Sequence, residues 1–301
     1  PSLWKQLLEE SIEATEQGSQ CFPQVAGRPF GLLIGLQTHH AFAKRPTFIN
    51  IAHLPHNELV EQLKQSSTRT AILNETDTDP DPKILFDGMS RMIQSMLHRL
   101  YPMGEIPDYE PDPTQSFVSI AETRNTTPEA VLYDYMLEND GYAMGMMPIF
   151  NYVDGNHDVI REMLLHPQAV SGLSDGGAHC GMICDASIPT FMLSHWTRDR
   201  TRGKKLPLEW IIKKQTNDTA SLYGLNDRGT LQTGKRADIN VIDYNALTLH
   251  GPKMAHDLPA GGRRLLQEAT GYDYTIVAGT ITRQFGQDTG QRPGRLIRGA
   301  R

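Results

Sequence analysis

Apolar positions at helical spacing punctuate the first two thirds of the chain, and alternating ones mark the last third. Leu3, Leu7, Leu8 and Ile12 share one face over residues 1–17, and Gly18 ends that predicted helix. A short strand is expected over 19–25. The stretch from 26 to about 55 carries no periodicity and is rich in Gly, Pro and His, which predicts a long irregular loop or an insertion. Helices follow over 57–64, with Asn57 as cap, and over 84–100, after an Asp-Pro-Asp-Pro turn. Residues 109–113 read as another break.

Thr127-Pro128 is a strong helix start, since Thr caps and Pro suits the first helical position. Val131, Leu132, Tyr135 and Met136 then form an apolar face that ends at Gly141. Residues 143–152 read as extended, 156–166 as a helix stopped by Pro167, and 169–173 as a short buried strand. Two more helices are expected over 187–200 and 207–223. Beyond Gly224 the pattern turns to alternation, with a strand near 237–244 and a hairpin over 274–285 turning at Ala278-Gly279. A boundary is placed near residue 225, giving an α/β part over 1–225 and a small β part over 226–301.

The chain has 301 residues, 39% of them hydrophobic and 21% charged, enough to build a core and too apolar for disorder. The net charge of −6 comes without a basic run, so neither nucleic acid nor an anionic membrane is the expected partner. No apolar stretch reaches bilayer length. The three cysteines make no disulfide framework, and a reducing, cytoplasmic setting is expected. Cys180 and Cys184 form one loose pair, read as small thiols rather than half of a zinc site. The first residue is Pro1, so either a segment precedes it in the gene product or one has been removed.

The sharpest chemical candidate is Asp175. A short apolar strand runs into Ser174-Asp175-Gly176-Gly177-Ala178-His179 and a helix follows. In parallel α/β folds the C-terminal strand ends carry the active site, where an Asp binds metal or moves a proton. The alternative is an Asp that only caps a turn. His39, His40, His53 and His56 are read as surface or loop packing rather than as a metal cluster.

The run Val170-Ser171-Gly172-Leu173-Ser174-Asp175-Gly176-Gly177-Ala178-His179 resembles the last barrel strand of the amidohydrolase superfamily, and most closely its N-acyl-D-amino-acid deacylase branch. The run from Gly229 to Asp243 is similar to the return of such chains into their small β-sandwich. Ile276-Val277-Ala278-Gly279 and Pro293-Gly294-Arg295 continue the pattern.

The resemblance implies the C-terminal part of a metal-dependent (β/α)₈ hydrolase barrel with a large helical insertion at about 26–145, followed by part of a small β-sandwich. The strands at 19–25 and 169–175 would be the seventh and eighth. Zinc, one or two ions, is implied as cofactor, with most ligands upstream of this chain and Asp175 as metal ligand and general base. His179, Asn151 and Tyr152 are implied at the substrate, although a loop histidine and a structural Tyr are equally open readings. The implied partners are a small N-acyl amino acid and the missing N-terminal half of the same protein. The arginine that such enzymes use on the substrate carboxylate has no match here, where Ala186 stands; Arg28, Lys44, Arg198 and Arg200 are the substitutes on offer. A hydrolase of cyclic amides or esters, or a non-catalytic fragment, are the alternative readings.

Overall fold

The computed structural model describes residues 2–173 and 181–298. Helix α1 (Leu3–Glu16) leads to strand β1 (Gln24–Ala26), and β2 (Gly31–Ile34) follows after a four-residue bend. A helical region comes next: α2 (Pro46–Ile51), α3 (His56–Leu63), α4 (Ser66–Asn74), α5 (Met89–Ser95), β3 (Tyr101–Pro102), α6 (Phe117–Arg124), α7 (Pro128–Met136) and the short turn α8 (Glu138–Gly141). The chain returns through β4 (Gly145–Pro148), α9 (Asp158–Leu165) and β5 (Val170–Gly172). Helices α10 (Ile188–Ser194), α11 (Leu208–Lys213) and α12 (Thr219–Leu222) complete this part.

β1 and β5 pair in parallel, Gln24 with Val170 and Ala26 with Gly172, so their C-terminal ends lie side by side. Among the described residues they pair only with each other, and no closed barrel forms. The three-stranded antiparallel sheet β2-β4-β3 stands beside them. Its side chains alternate between two cores, as the pleat requires. Leu33 and its partner Met146 join the core under α9, α10 and α11, whereas Leu32 and Met147 join the core of the helical region. The helical region therefore has a core of its own, centred on Phe42, Ile72, Ile93, Phe117 and Leu132.

The rest is β: β6 (Ile239–Ile242), β7 (Thr248–Leu249), β8 (Lys253–Leu258), β9 (Gly262–Leu266), β10 (Ala269–Thr270), β11 (Tyr272–Val277), β12 (Thr280–Gln284) and β13 (Gln287–Asp288). They form the antiparallel sheet β13-β12-β11-β6 and the ladders β8-β9 and β10-β7. The hairpin β11–β12 turns at Ala278 (φ 50°) and Gly279 (φ 78°), the left-handed pair that a tight two-residue hairpin needs.

Several elements differ from the sequence expectation. The loop expected over 26–55 contains β2 and α2, each too short to show a period. The strand expected over 19–25 shrinks to Gln24–Ala26. Asn57 is not a cap: α3 begins one residue earlier, behind Pro55. The helix expected over 84–100 starts only at Met89, because Asp87 is held in the preceding turn by Lys44 Nζ (2.8 Å) and the Asp81 amide (2.6 Å). Helix α4 escaped notice because its Ser and Thr are weak helix formers and Ile72 alone is buried in it. Arg69 fastens it to α7 through a two-pronged bond to Asp134 (2.7 and 2.9 Å). The Thr127 cap is present, its hydroxyl accepting from the Ala130 amide.

Candidate functional site

Two polar centres share Phe191 as a neighbour, its ring 5.6 Å from the Arg28 guanidinium and 4.5 Å from the His195 ring. The first follows directly from β1. Gly27 is the one residue type that fits there, since a Cβ would meet the Met192 sulfur at 2.2 Å. Its carbonyl accepts from Trp196 Nε1 at 2.7 Å, which ties α10 to the strand. Arg28 comes next and is fully buried, its guanidinium 3.8 Å over the Tyr109 ring. Nη2 donates to the Cys184 carbonyl (2.6 Å) and more distantly to Asp185 (3.4 Å), while Nε and Nη1 have no hydrogen-bond partner among the described residues. The adjoining cavity, bounded by Pro29, Leu33, Met146 and Asp185, measures about 10 Å³, room for a single water. Burial pushes the Cys184 thiol up to about 11, which leaves it inert.

The second centre is built from three separate segments. Glu110 lies in the 109–113 break, His157 precedes α9, and His195 opens a π-helical turn, His195–Asp199, that prolongs α10. Such widened turns re-aim side chains that a regular helix would point elsewhere. Glu110 is buried and accepts four bonds. The His157 amide (2.7 Å) and Arg200 Nη2 (2.9 Å) meet Oε1; Arg200 Nε (3.0 Å) and His195 Nε2 (3.1 Å) meet Oε2. Burial alone would raise its pKa, but the bonds from His195 and Arg200 and the nearby His157 hold it well below the usual carboxylate range.

His157 Nε2 stands 2.8 Å from the Tyr109 carbonyl, which only accepts, so Nε2 carries the proton and Nδ1 is bare. Burial lowers this histidine to about 3, so it is neutral at physiological pH. Nδ1 faces His195 Nε2 at 3.3 Å and Glu110 at 3.7 Å. The His195 ring stacks on Phe191 at 4.5 Å and borders a cavity of about 450 Å³ lined also by Glu110, Arg198, Arg202 and Leu247. The donor set, two imidazoles and a carboxylate, is one that zinc accepts. Three ligands at about 2.0–2.1 Å around a tetrahedral ion stand about 3.3 Å apart, and the separations here run from 3.1 to 3.7 Å. The residues fit a small divalent cation.

Of the residues singled out in the sequence, Asp175, His179 and Cys180 lie outside the described residues. Tyr152 is buried, and its hydroxyl donates to the Pro111 carbonyl at 2.5 Å, fastening the 109–113 segment. Asn151 adopts φ 61° beside Phe150, whose amide meets the Phe30 carbonyl just beyond Arg28. His40 is sealed in the core of the helical region, and His56 bonds the Asp140 carbonyl, both as packing residues. Among the four candidate cations for a carboxylate, Lys44 is spent on Asp87, Arg198 on Asp199 and carbonyls, and Arg200 on Glu110 and Asp158. Arg28 keeps donors unused among the described residues, but the space beside it is too small for a carboxylate. Sequence reading missed Glu110, His157 and His195 as a group. They stand 47 and 38 residues apart, with no short spacing to betray them.

The model of the amidohydrolase family matches residues 137–283, a stretch that contains α9, β5, α10 and most of the final β region. Residues 137–283 belong to the amidohydrolase family. No protein of curated function matches this chain. Among solved structures it is similar to D-aminoacylase described for its binuclear metal centre, at 20% identity over 78% of this chain and 44% of that one, with a TM-score of 0.34. A second D-aminoacylase structure, described as defining a novel subset of amidohydrolases, matches at 21% identity with the same coverage and a TM-score of 0.33. This chain thus spans less than half the length of the solved chains it matches.

Proposed function

We propose that this segment is the C-terminal part of a metal-dependent hydrolase that cleaves the C–N amide bond of an N-acyl-D-amino acid to a carboxylate and a D-amino acid. The observation that carries the reading is the Asp-Gly-Gly motif at 175–177, inside the family-matched stretch and immediately beyond β5. In parallel α/β architecture that is the end where reactive groups collect. Zinc, when bound, lowers the pKa of water and polarises the amide carbonyl. Asp175, as a ligand in that site, takes the proton from the attacking water and returns it to the departing nitrogen, so that the amine leaves neutral. His179, four residues further along the chain, orients Asp175 or touches substrate. Asn151 and Tyr152 contribute through the turn that brings the helical region back beside Phe30. The remaining zinc ligands and barrel strands come from upstream sequence.

The test uses the protein with its upstream coding sequence and a panel of N-acyl-D-amino acids, their L-isomers, cyclic amides and esters. Asp175→Asn is expected to lower kcat by at least about a thousandfold on the D-substrates with the thermal midpoint unchanged, the scale set by loss of a general base and a metal ligand together. Full activity of this variant refutes the role of Asp175. Turnover confined to cyclic amides or esters refutes the substrate.

A further inference from the structure

Glu110 Oε2, His157 Nδ1 and His195 Nε2 converge with separations of 3.1, 3.3 and 3.7 Å. The carboxylate oxygen and His157 Nδ1 present lone pairs, and the one proton among the three atoms sits on His195 Nε2. His157 Nε2–H is committed to the Tyr109 carbonyl, so Nδ1 has none to give. The carboxylate is held ionised by Arg200. The proton on His195 Nε2 alone keeps Glu110 Oε2 and His157 Nδ1 from repelling one another and the His195 ring nitrogen. A cation in its place satisfies all three at once, and His195 needs only to move that proton to Nδ1, so no net proton is released. The outer contacts are those of a built metal site: the distal nitrogen of His157 donates to a backbone carbonyl, and the carboxylate is oriented by an amide and a guanidinium. One side remains open, because Glu110 and His195 both border the cavity of about 450 Å³. The Arg200 charge works against a cation, and Asp158, 2.8 Å from Arg200 Nη2, offsets part of it.

We propose that Glu110, His157 and His195 themselves form a site for a divalent cation of the zinc class, with Asp175 not among its ligands. The proposal does not rest on the hydrolytic reading. Zinc bound per protein is measured by equilibrium dialysis on the full gene product, for wild type, His195→Gln and Asp175→Asn. Glutamine keeps an N–H that donates to Glu110 and removes the ring lone pair. The expected result is one equivalent of zinc fewer in His195→Gln, with that equivalent retained in Asp175→Asn. A folded His195→Gln that binds as much zinc as wild type overturns the proposal. Should the glutamine variant not fold, the wild type decides. With Co²⁺ bound, the buried His157 Nε2–H resonance moves outside the diamagnetic proton range; its absence there overturns the site. Failure of the hydrolytic reading alone, an active Asp175→Asn, leaves these outcomes unaffected.

Discussion

His40 shows how a single residue escapes a sequence reading that its neighbours support. Placed in a Gly-, Pro- and His-rich stretch, it looks like loop packing, and the packing is real but deeper than a loop. Its ring meets Phe48 edge-on at 4.5 Å, and Nδ1 accepts from the Phe42 amide. Burial, with His39 beside it, lowers its pKa to about 3. In the unfolded chain the same group titrates near 6.5. Below that pH the unfolded state takes up a proton that the folded state refuses, so stability is complete above about 6.5 and declines toward 3. The contribution of this one group approaches about 1.4 kcal/mol per pH unit across that window. His40→Asn, whose amide oxygen still accepts from Phe42, is expected to flatten the pH dependence of the urea midpoint between pH 7 and 4. An unchanged slope would show that His40 is not the group responsible. Glu110, His157 and His195 were invisible for a different reason: each sits at a break or a helix end, and only tertiary contact makes them a group.

At the scale of elements, the strongest local signals gave the right answer. Thr127-Pro128 starts α7, and Ala278-Gly279 turns the β11–β12 hairpin. Both depend on chemistry within a few residues. The elements that were missed, β2, α2 and α4, are short and owe their form to packing between the two cores, which no local pattern records. The hairpin also carries a local misfit. Ala278 sits at φ 50°, where an L-residue with a Cβ is strained and Asn or Gly is not. Ala278→Asn keeps the backbone donor that meets Asp238 and is expected to stabilise the protein by roughly 1 kcal/mol. Calorimetry reads this as a higher Tm; a lower one would mean that the turn relies on the alanine for packing.

For the whole molecule, the sequence motif at 170–179 led to a parallel strand pair, and β1 and β5 are that pair. What no motif conveyed is how the helical region is attached: Arg202 reaches the carbonyls of Glu110, Pro111 and Gly155, and Arg200 grips Glu110. The outer edges of β1 and β5 pair with nothing among the described residues, a condition that barrels remove by closure. Amide exchange at 24–26 and 170–172 is therefore expected to be fast in this segment alone. On the proposed barrel reading, it slows by at least about tenfold once strands from upstream sequence pair with these edges, as buried ladder amides do. Equal protection in both forms would mean that the two strands do not belong to a larger sheet.

The connection between β1 and β5 has a consequence for how such a protein diversifies. A parallel pair needs a crossover, commonly one helix, and here the crossover is a folded body with its own core. Its helices can drift, lengthen or be replaced while Gln24 still faces Val170 and Ala26 still faces Gly172. The fold thus offers two compartments for change, a helical body with its own interior and a strand pair whose register does not depend on that interior.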